Sequence, residues 1–151
     1  MHVIVGGRYN DWQAEGVSYE VDQEADYQKF IPYLGAVYRF MPELVAYASY
    51  TETFVQQDEV DIDNRFLDPI TGESREIGLK SELFNGRLIA SLAYFDVVQT
   101  NIAVLDPATE GLPIDLQKYY GSDGISSTGY EIDIAREIYS GLNVSIGYTD
   151  F

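Results

Sequence analysis

Few residues in this 151-residue chain could carry bond-making chemistry. His2 is the single histidine and there is no cysteine. That leaves a histidine-based triad or zinc site without ligands, and it excludes disulfide, thiolate-metal and thiol redox chemistry. Glu131 and Asp133 stand two apart on one strand face, as a pair of glycosidase carboxylates could, but no supporting constellation accompanies them. The acidic run Asp58-Glu59-Val60-Asp61-Ile62-Asp63 suggests a calcium loop. It lacks the glycine at the sharp turn and the distal bidentate glutamate at their required offsets, so it reads as a solvated acidic loop. What remains is recognition chemistry. Thirteen Tyr, seven Phe and one Trp make 14% of the chain aromatic, and rings with one polar end suit a boundary between a dry and a wet phase.

The net charge of −16 argues against a nucleic-acid partner, whose phosphates would be repelled. No apolar run reaches the 18 residues of a transmembrane helix, and His2-Val3-Ile4-Val5 is shorter than an export signal. The start of the chain therefore reads as that of a cytosolic protein or of a segment without its natural beginning.

The elements that must position these residues are strands. Period-two alternation recurs in seven segments, with no competing helical period. Val3, Val5, Gly7 and Tyr9 oppose Arg8, Asn10 and Trp12 in the first, which runs from about His2 to Trp12. Later segments set Leu34, Ala36, Tyr38 and Phe40 against Tyr33, Gly35, Val37 and Arg39, and Leu44, Ala46, Ala48 and Tyr50 against Val45, Tyr47, Ser49 and Thr51. The fourth places Ile77 and Leu79 opposite Glu76, Gly78 and Lys80. Segments centred on Leu88–Tyr94, Tyr130–Ile134 and Leu142–Tyr148 repeat the theme. Several apolar faces carry tyrosine (Tyr9, Tyr38, Tyr50, Tyr94, Tyr130, Tyr148), where a lipid-facing band meets an aromatic girdle.

Short turns around Met41-Pro42-Glu43, Phe84-Asn85-Gly86 and Tyr139-Ser140-Gly141 alternate with long polar stretches at 11–26, 55–73 and 96–123. The long stretches hold 17 acidic residues against Arg65 and Lys118, hence −15 of the net −16, while the rest of the chain is nearly neutral. Acidity gathered at one end of an up-and-down meander is what a membrane-embedded barrel requires, because charge facing lipid is costly.

Three stretches go beyond periodicity. They are PYLGAVYRFMPELVAYASYTETFVQ (Pro32 to Gln56), LDPITGESREIGLKSELFNGRLIASLAYFDVVQTNIAV (Leu67 to Val104) and SSTGYEIDIAREIYSGLNVSIGYTDF (Ser126 to Phe151). With the opening VIVGGRYNDW (Val3 to Trp12), they resemble TonB-dependent ferric-siderophore receptors, in the family's order and over nearly the whole chain. Within that family the similarity leans towards receptors for coprogen, ferrioxamine or pyoverdine-type hydroxamate siderophores.

The resemblance implies an all-β fold, with residues 1–151 a partial barrel domain whose seven antiparallel strands belong to a 22-stranded transmembrane barrel. The family's plug domain and its TonB-contacting segment have no counterpart here, and seven strands would leave two unpaired edges. Phe151 imitates a terminal outer-membrane aromatic, but the local match is to mid-barrel. The implied function is binding and TonB-dependent import of ferric siderophores across the outer membrane of a Gram-negative bacterium. No reaction is catalysed. Iron arrives chelated, so no cofactor or protein-held metal is expected, and the implied partners are the siderophore, membrane lipid and, through the plug, TonB-ExbB-ExbD. Trp12, Tyr19, Gln99, Asn101, Tyr119 and Tyr120, at strand ends or in long loops, are the candidates for siderophore contact, although aromatics there also serve as girdle or packing residues. Arg8, Arg39, Glu76, Lys80, Arg87, Glu131 and Asp133 are expected to face the lumen. Two other functions are compatible with alternation alone, a porin-like channel and a soluble all-β carbohydrate-binding module. Folding without detergent would distinguish the second.

Overall fold

A computed structural model of the protein describes the backbone of residues 1–18 and 21–151, and the side chains of 1–13 and 26–151. Among the described residues nine strands form: β1 (His2–Ser18), β2 (Val21–Met41), β3 (Leu44–Val55), β4 (Ile70–Leu83), β5 (Leu88–Thr100), β6 (Ala103–Leu105), β7 (Tyr119–Gly121), β8 (Ile125–Tyr139) and β9 (Leu142–Asp150). Seven make one antiparallel sheet in the order β1-β2-β3-β4-β5-β8-β9, with β1 and β9 as its open edges. The seven alternating segments of the sequence are these strands. The remaining two, β6 and β7, pair as a small hairpin inside the β5–β8 connection.

Two expectations about the connections need correction. The stretch 11–26 is not a long loop, because β1 and β2 stay paired from His2↔Val37 out to Ser18↔Val21. The stretch is mostly polar and carries no period-two alternation, so its pairing is hidden from any reading of hydropathy. The other two long stretches are shorter than expected, since β4 begins at Ile70 and β5 continues to Thr100. Glu73 and Asp96 therefore lie on strands, although still towards the acidic end. The short turns stand as expected, and Phe84, Asn85 and Gly86 take the left-handed backbone in succession, with φ of 55°, 57° and 84°.

The sheet has no second layer among the described residues. Among the described residues only Ile31 and Phe54 are buried hydrophobics, each 7% exposed. A folded globule of 17.0 kDa would expose about 7,700 Å²; this chain exposes 10630 Å². Leu92, Ile132, Val144 and Ile146 lie open on the apolar face. A compact soluble module would have sealed them inside.

The registers show what shape this face is built for. Counted along the ladders, the tyrosines on the apolar face do not share one row. From Tyr50 through Tyr94 and Tyr130 to Tyr148 they descend four residues over four strand steps. Starting from Tyr9, the descent is eight residues over six steps. With strands about 4.8 Å apart and a rise of about 3.4 Å per residue, the line becomes level when strands tilt by about 35–43°. Transmembrane barrels tilt by roughly that much. Phe40, Phe84 and Tyr139, all exposed at the short-turn end, mark a second line eight or nine residues further along the same strands. At the same tilt the two lines are about 22 Å apart, close to the ~25 Å height of a barrel's apolar band. Tyr38 falls between them. Arg136 is a charge on the apolar face inside the lower line, three residues before Tyr139, close enough for a long side chain to reach the boundary.

Candidate functional site

The open end of the sheet is organised by three connections. The β1–β2 hairpin brings Trp12 opposite Tyr27, and their rings stack with centroids 5.8 Å apart and planes 22° apart. The Tyr27 hydroxyl donates to the Asp68 carboxylate at 3.4 Å, and partial burial together with that carboxylate pushes the phenol above its ordinary range. Asp68 belongs to the β3–β4 connection, where the acidic run folds as a tight turn. Asp61 accepts from the backbone N–H of Asp63 and Arg65, and Asp63 pairs with Arg65 at 2.6 Å. The β5–β8 connection contains β6, β7 and two short 3-10 turns, Pro107–Thr109 and Ile114–Leu116, the first capped by the Asp106 side chain. Lys118 Nζ donates to Asn64 Oδ1, and the Tyr119 N–H donates to the Val60 carbonyl at 2.9 Å, so this connection leans on its neighbour.

The expected contact residues occupy this end but do not converge. Trp12 sits on β1 and Gln99 on β5, four strand spacings or about 19 Å across the sheet. Gln99 packs beside Gly72 and Thr53 on the same face as Trp12. Tyr119 and Tyr120 lie in the small hairpin, where Tyr119 bonds to Gln117 and Tyr120 stands half exposed. Asn101 is engaged by the fold itself, with φ of 62° and its Nδ2 donating to the Pro69 carbonyl at 3.3 Å. Tyr19 lies outside the described residues. Tyr27 and Gln57 escape sequence reasoning, because Tyr27 is marked only by its register with Trp12, and Gln57 by nothing local.

The seven residues expected in the lumen divide differently. Arg8, Arg39, Glu76, Lys80, Glu131 and Asp133 lie on the polar face of the sheet, by alternation and register. Arg87 is in the β4–β5 turn and pairs with Glu137 at 3.1 Å. Tyr47 organises the centre of this face. Its hydroxyl donates to Glu76, Lys80 Nζ lies 4.9 Å from its ring centroid, and its ring fills the space over Gly78, where a Cβ would approach within 2.6 Å. A glycine opposite an aromatic lets the ring lie flat on the sheet. Asp133 accepts from Ser91 at 3.4 Å. The polar face is thus a paired and solvated wall, while the opposite face is a continuous apolar band.

This division between faces has relatives. Residues 1–151 match the family model described as TonB dependent receptor-like, beta-barrel. The chain belongs to the TonB-dependent receptor β-barrel family. It is 37% identical to the ferripyoverdine receptor of Pseudomonas aeruginosa over 99% of its own length, and 32% identical to the ferric-pyoverdine 358 receptor of Pseudomonas putida over the same share. It spans 18% and 19% of those two receptors. Among solved structures, the ferripyoverdine receptor of the outer membrane of Pseudomonas aeruginosa bound to ferripyoverdine superposes with a TM-score of 0.80 at 36% identity, covering 97% of this chain and 20% of that one. The alcaligin outer membrane receptor of Bordetella pertussis gives 0.74 at 33%, covering 98% and 26%. As a TonB-dependent receptor barrel, the sheet belongs in the outer membrane of a Gram-negative cell, with its apolar band against lipid. The family is one of receptors and transporters, not enzymes.

Proposed function

We propose that this TonB-dependent receptor segment forms part of the wall of a 22-stranded barrel that binds a ferric siderophore of the pyoverdine type and imports it. Residues 1–151 make up a partial barrel domain, and the plug and remaining strands come from elsewhere in the receptor. The observation that carries this is the similarity to ferripyoverdine receptors, at 37% identity over 99% of this chain and, for a solved structure, a TM-score of 0.80. Import is driven by TonB-ExbB-ExbD acting through the plug. Iron stays in its chelate, so the barrel supplies no metal ligand or cofactor.

In this role the apolar band meets lipid, and Arg8, Arg39, Glu76, Lys80, Arg87, Glu131 and Asp133 face the lumen and plug. Trp12, Tyr19, Gln99, Asn101, Tyr119 and Tyr120 line the outer vestibule, and the spread of the described ones suits a bulky chelate held at several points rather than a small pocket. The acidity of the outer connections also restricts the cargo. A triply anionic tris-catecholate complex would be repelled, whereas the neutral core of a ferric hydroxamate would not.

The test replaces the matching segment of the Pseudomonas aeruginosa ferripyoverdine receptor with residues 1–151 and measures uptake of radiolabelled ferripyoverdine in cells lacking the native receptor. Uptake that requires TonB and is not displaced by a ferric tris-catecholate is expected. A chimera assembled at the cell surface that neither binds nor imports ferripyoverdine would overturn the assignment.

A further inference from the structure

Gln57 follows β3 by two residues and is 9% exposed, among acidic neighbours that face water. Its Nε2 donates twice, to the carbonyl of Asp68 at the far end of its own connection and to the carbonyl of Asn101 at 2.7 Å, where the β5–β8 connection begins. The orientation of the amide is fixed by this pair, since a flipped group would aim its oxygen at two carbonyls. Asn101 returns the contact through Nδ2 to the Pro69 carbonyl, one residue beyond Asp68. Its left-handed φ of 62° is an uncommon conformation for a residue with a Cβ, and it is held from both sides. The Asn101 N–H donates to the Ser122 carbonyl, and the Ser122 N–H to the Ile102 carbonyl. Both ends of the second connection are thereby gathered at the same knot.

We infer that Gln57 is a positioning residue that locks the β3–β4 and β5–β8 connections into one rigid cap, so that the two segments meet a ligand as a unit. Separately, residues 56–69 and 101–124 would each have to be ordered when a chelate binds, an entropic cost that weakens affinity. Joined by buried bonds, they are ordered in advance. The Tyr27 hydroxyl on Asp68 ties the β1–β2 hairpin to the same point. The cap's use in ligand binding rests on the proposed function; its rigidity does not, and the two can be tested apart.

The experiment follows amide hydrogen exchange in the assembled chimera described above, with and without Gln57→Ala. Amides of 102–122 should lose protection together with those of 56–69, by about tenfold or more, although the substitution lies in only one connection. Asn101→Gly, which keeps the left-handed backbone and removes only the bond to Pro69, should give the same paired loss in smaller measure, and it serves if Gln57→Ala is not assembled. Ferripyoverdine binding to the same variants should weaken mainly through a slower on-rate. Protection that falls only in 56–69, or in neither connection, overturns the cap. Paired loss of protection with unchanged ferripyoverdine binding would leave the cap standing and remove its role in recognition.

Discussion

Leu79 offers the sharpest test of which phase the apolar face touches. On β4 it lies four residues beyond Arg75, which shares a row with Tyr50 on the upper aromatic line. Because the line descends about one residue per strand, it crosses β4 about three residues above Leu79. At about 3.4 Å per residue and a tilt of about 40°, that places Leu79 about 8 Å below the line, within about 3 Å of the centre of the band. Arginine at the midplane of a barrel's lipid face costs about 2–4 kcal/mol, falling to about 0–1 kcal/mol near the boundary. Leu79→Arg in the full receptor should therefore shift the folding equilibrium by about 30- to 700-fold. Leu83→Arg, on the same face but beside the Phe84 turn, should cost no more than about 1 kcal/mol. Ser49→Arg, on the other face opposite Glu76, should stay within about 0.5 kcal/mol. Urea unfolding of the receptor in lipid vesicles measures all three. If Leu79→Arg proves no costlier than Leu83→Arg, or if Ser49→Arg is the worst of the set, the assignment of faces is wrong.

Three further outcomes are expected. The 151-residue chain alone in buffer should show no cooperative melt by circular dichroism, because it exposes about 2,900 Å² more than a globule of its mass, and detergent should recover strand signal. Gly78→Val should destabilise the assembled receptor by about 1–3 kcal/mol in the same urea assay, since the new side chain must displace the Tyr47 ring. The neutral Tyr27 phenol is the hydrogen-bond donor, and its pKa is raised in the folded chain. Its hold on Asp68 is therefore complete below pH 10 and fades as pH climbs through the folded value. Amide exchange of 56–69 in the receptor, corrected for its intrinsic pH dependence, should show that alkaline step, and Tyr27→Phe should abolish it.

Most of the fold was legible because the embedded part of each strand must alternate. Leu92 beside Ser91, or Ile132 beside Glu131, can be sorted by polarity alone once one face meets hydrocarbon. The same rule fails above the membrane. There the β1–β2 hairpin has a mostly polar sequence, so its pairing leaves no trace in polarity, and β6 and β7 are too short to show a period. The site was legible only in outline. Trp12 announced itself by type, but its partner Tyr27 became visible only through register. Asn101, expected to touch ligand, also bonds to the Pro69 carbonyl, while Gln57, an ordinary polar residue in an acidic stretch, joins two connections 44 residues apart in the chain. Such bonds depend on topology, which local sequence does not encode.

The open flanks of the sheet have a consequence of their own. β1 along one side and β9 along the other each present a row of backbone donors and acceptors with no neighbour. The flanks differ, so a second copy that docked its β9 against the first copy's β1 would satisfy one row at each junction and expose a fresh one at the far end. Nothing in that head-to-tail arithmetic stops at two. A chain left without neighbours along both flanks is therefore expected to grow as a ribbon, whereas partners paired on β1 and β9 would let the sheet close into a ring.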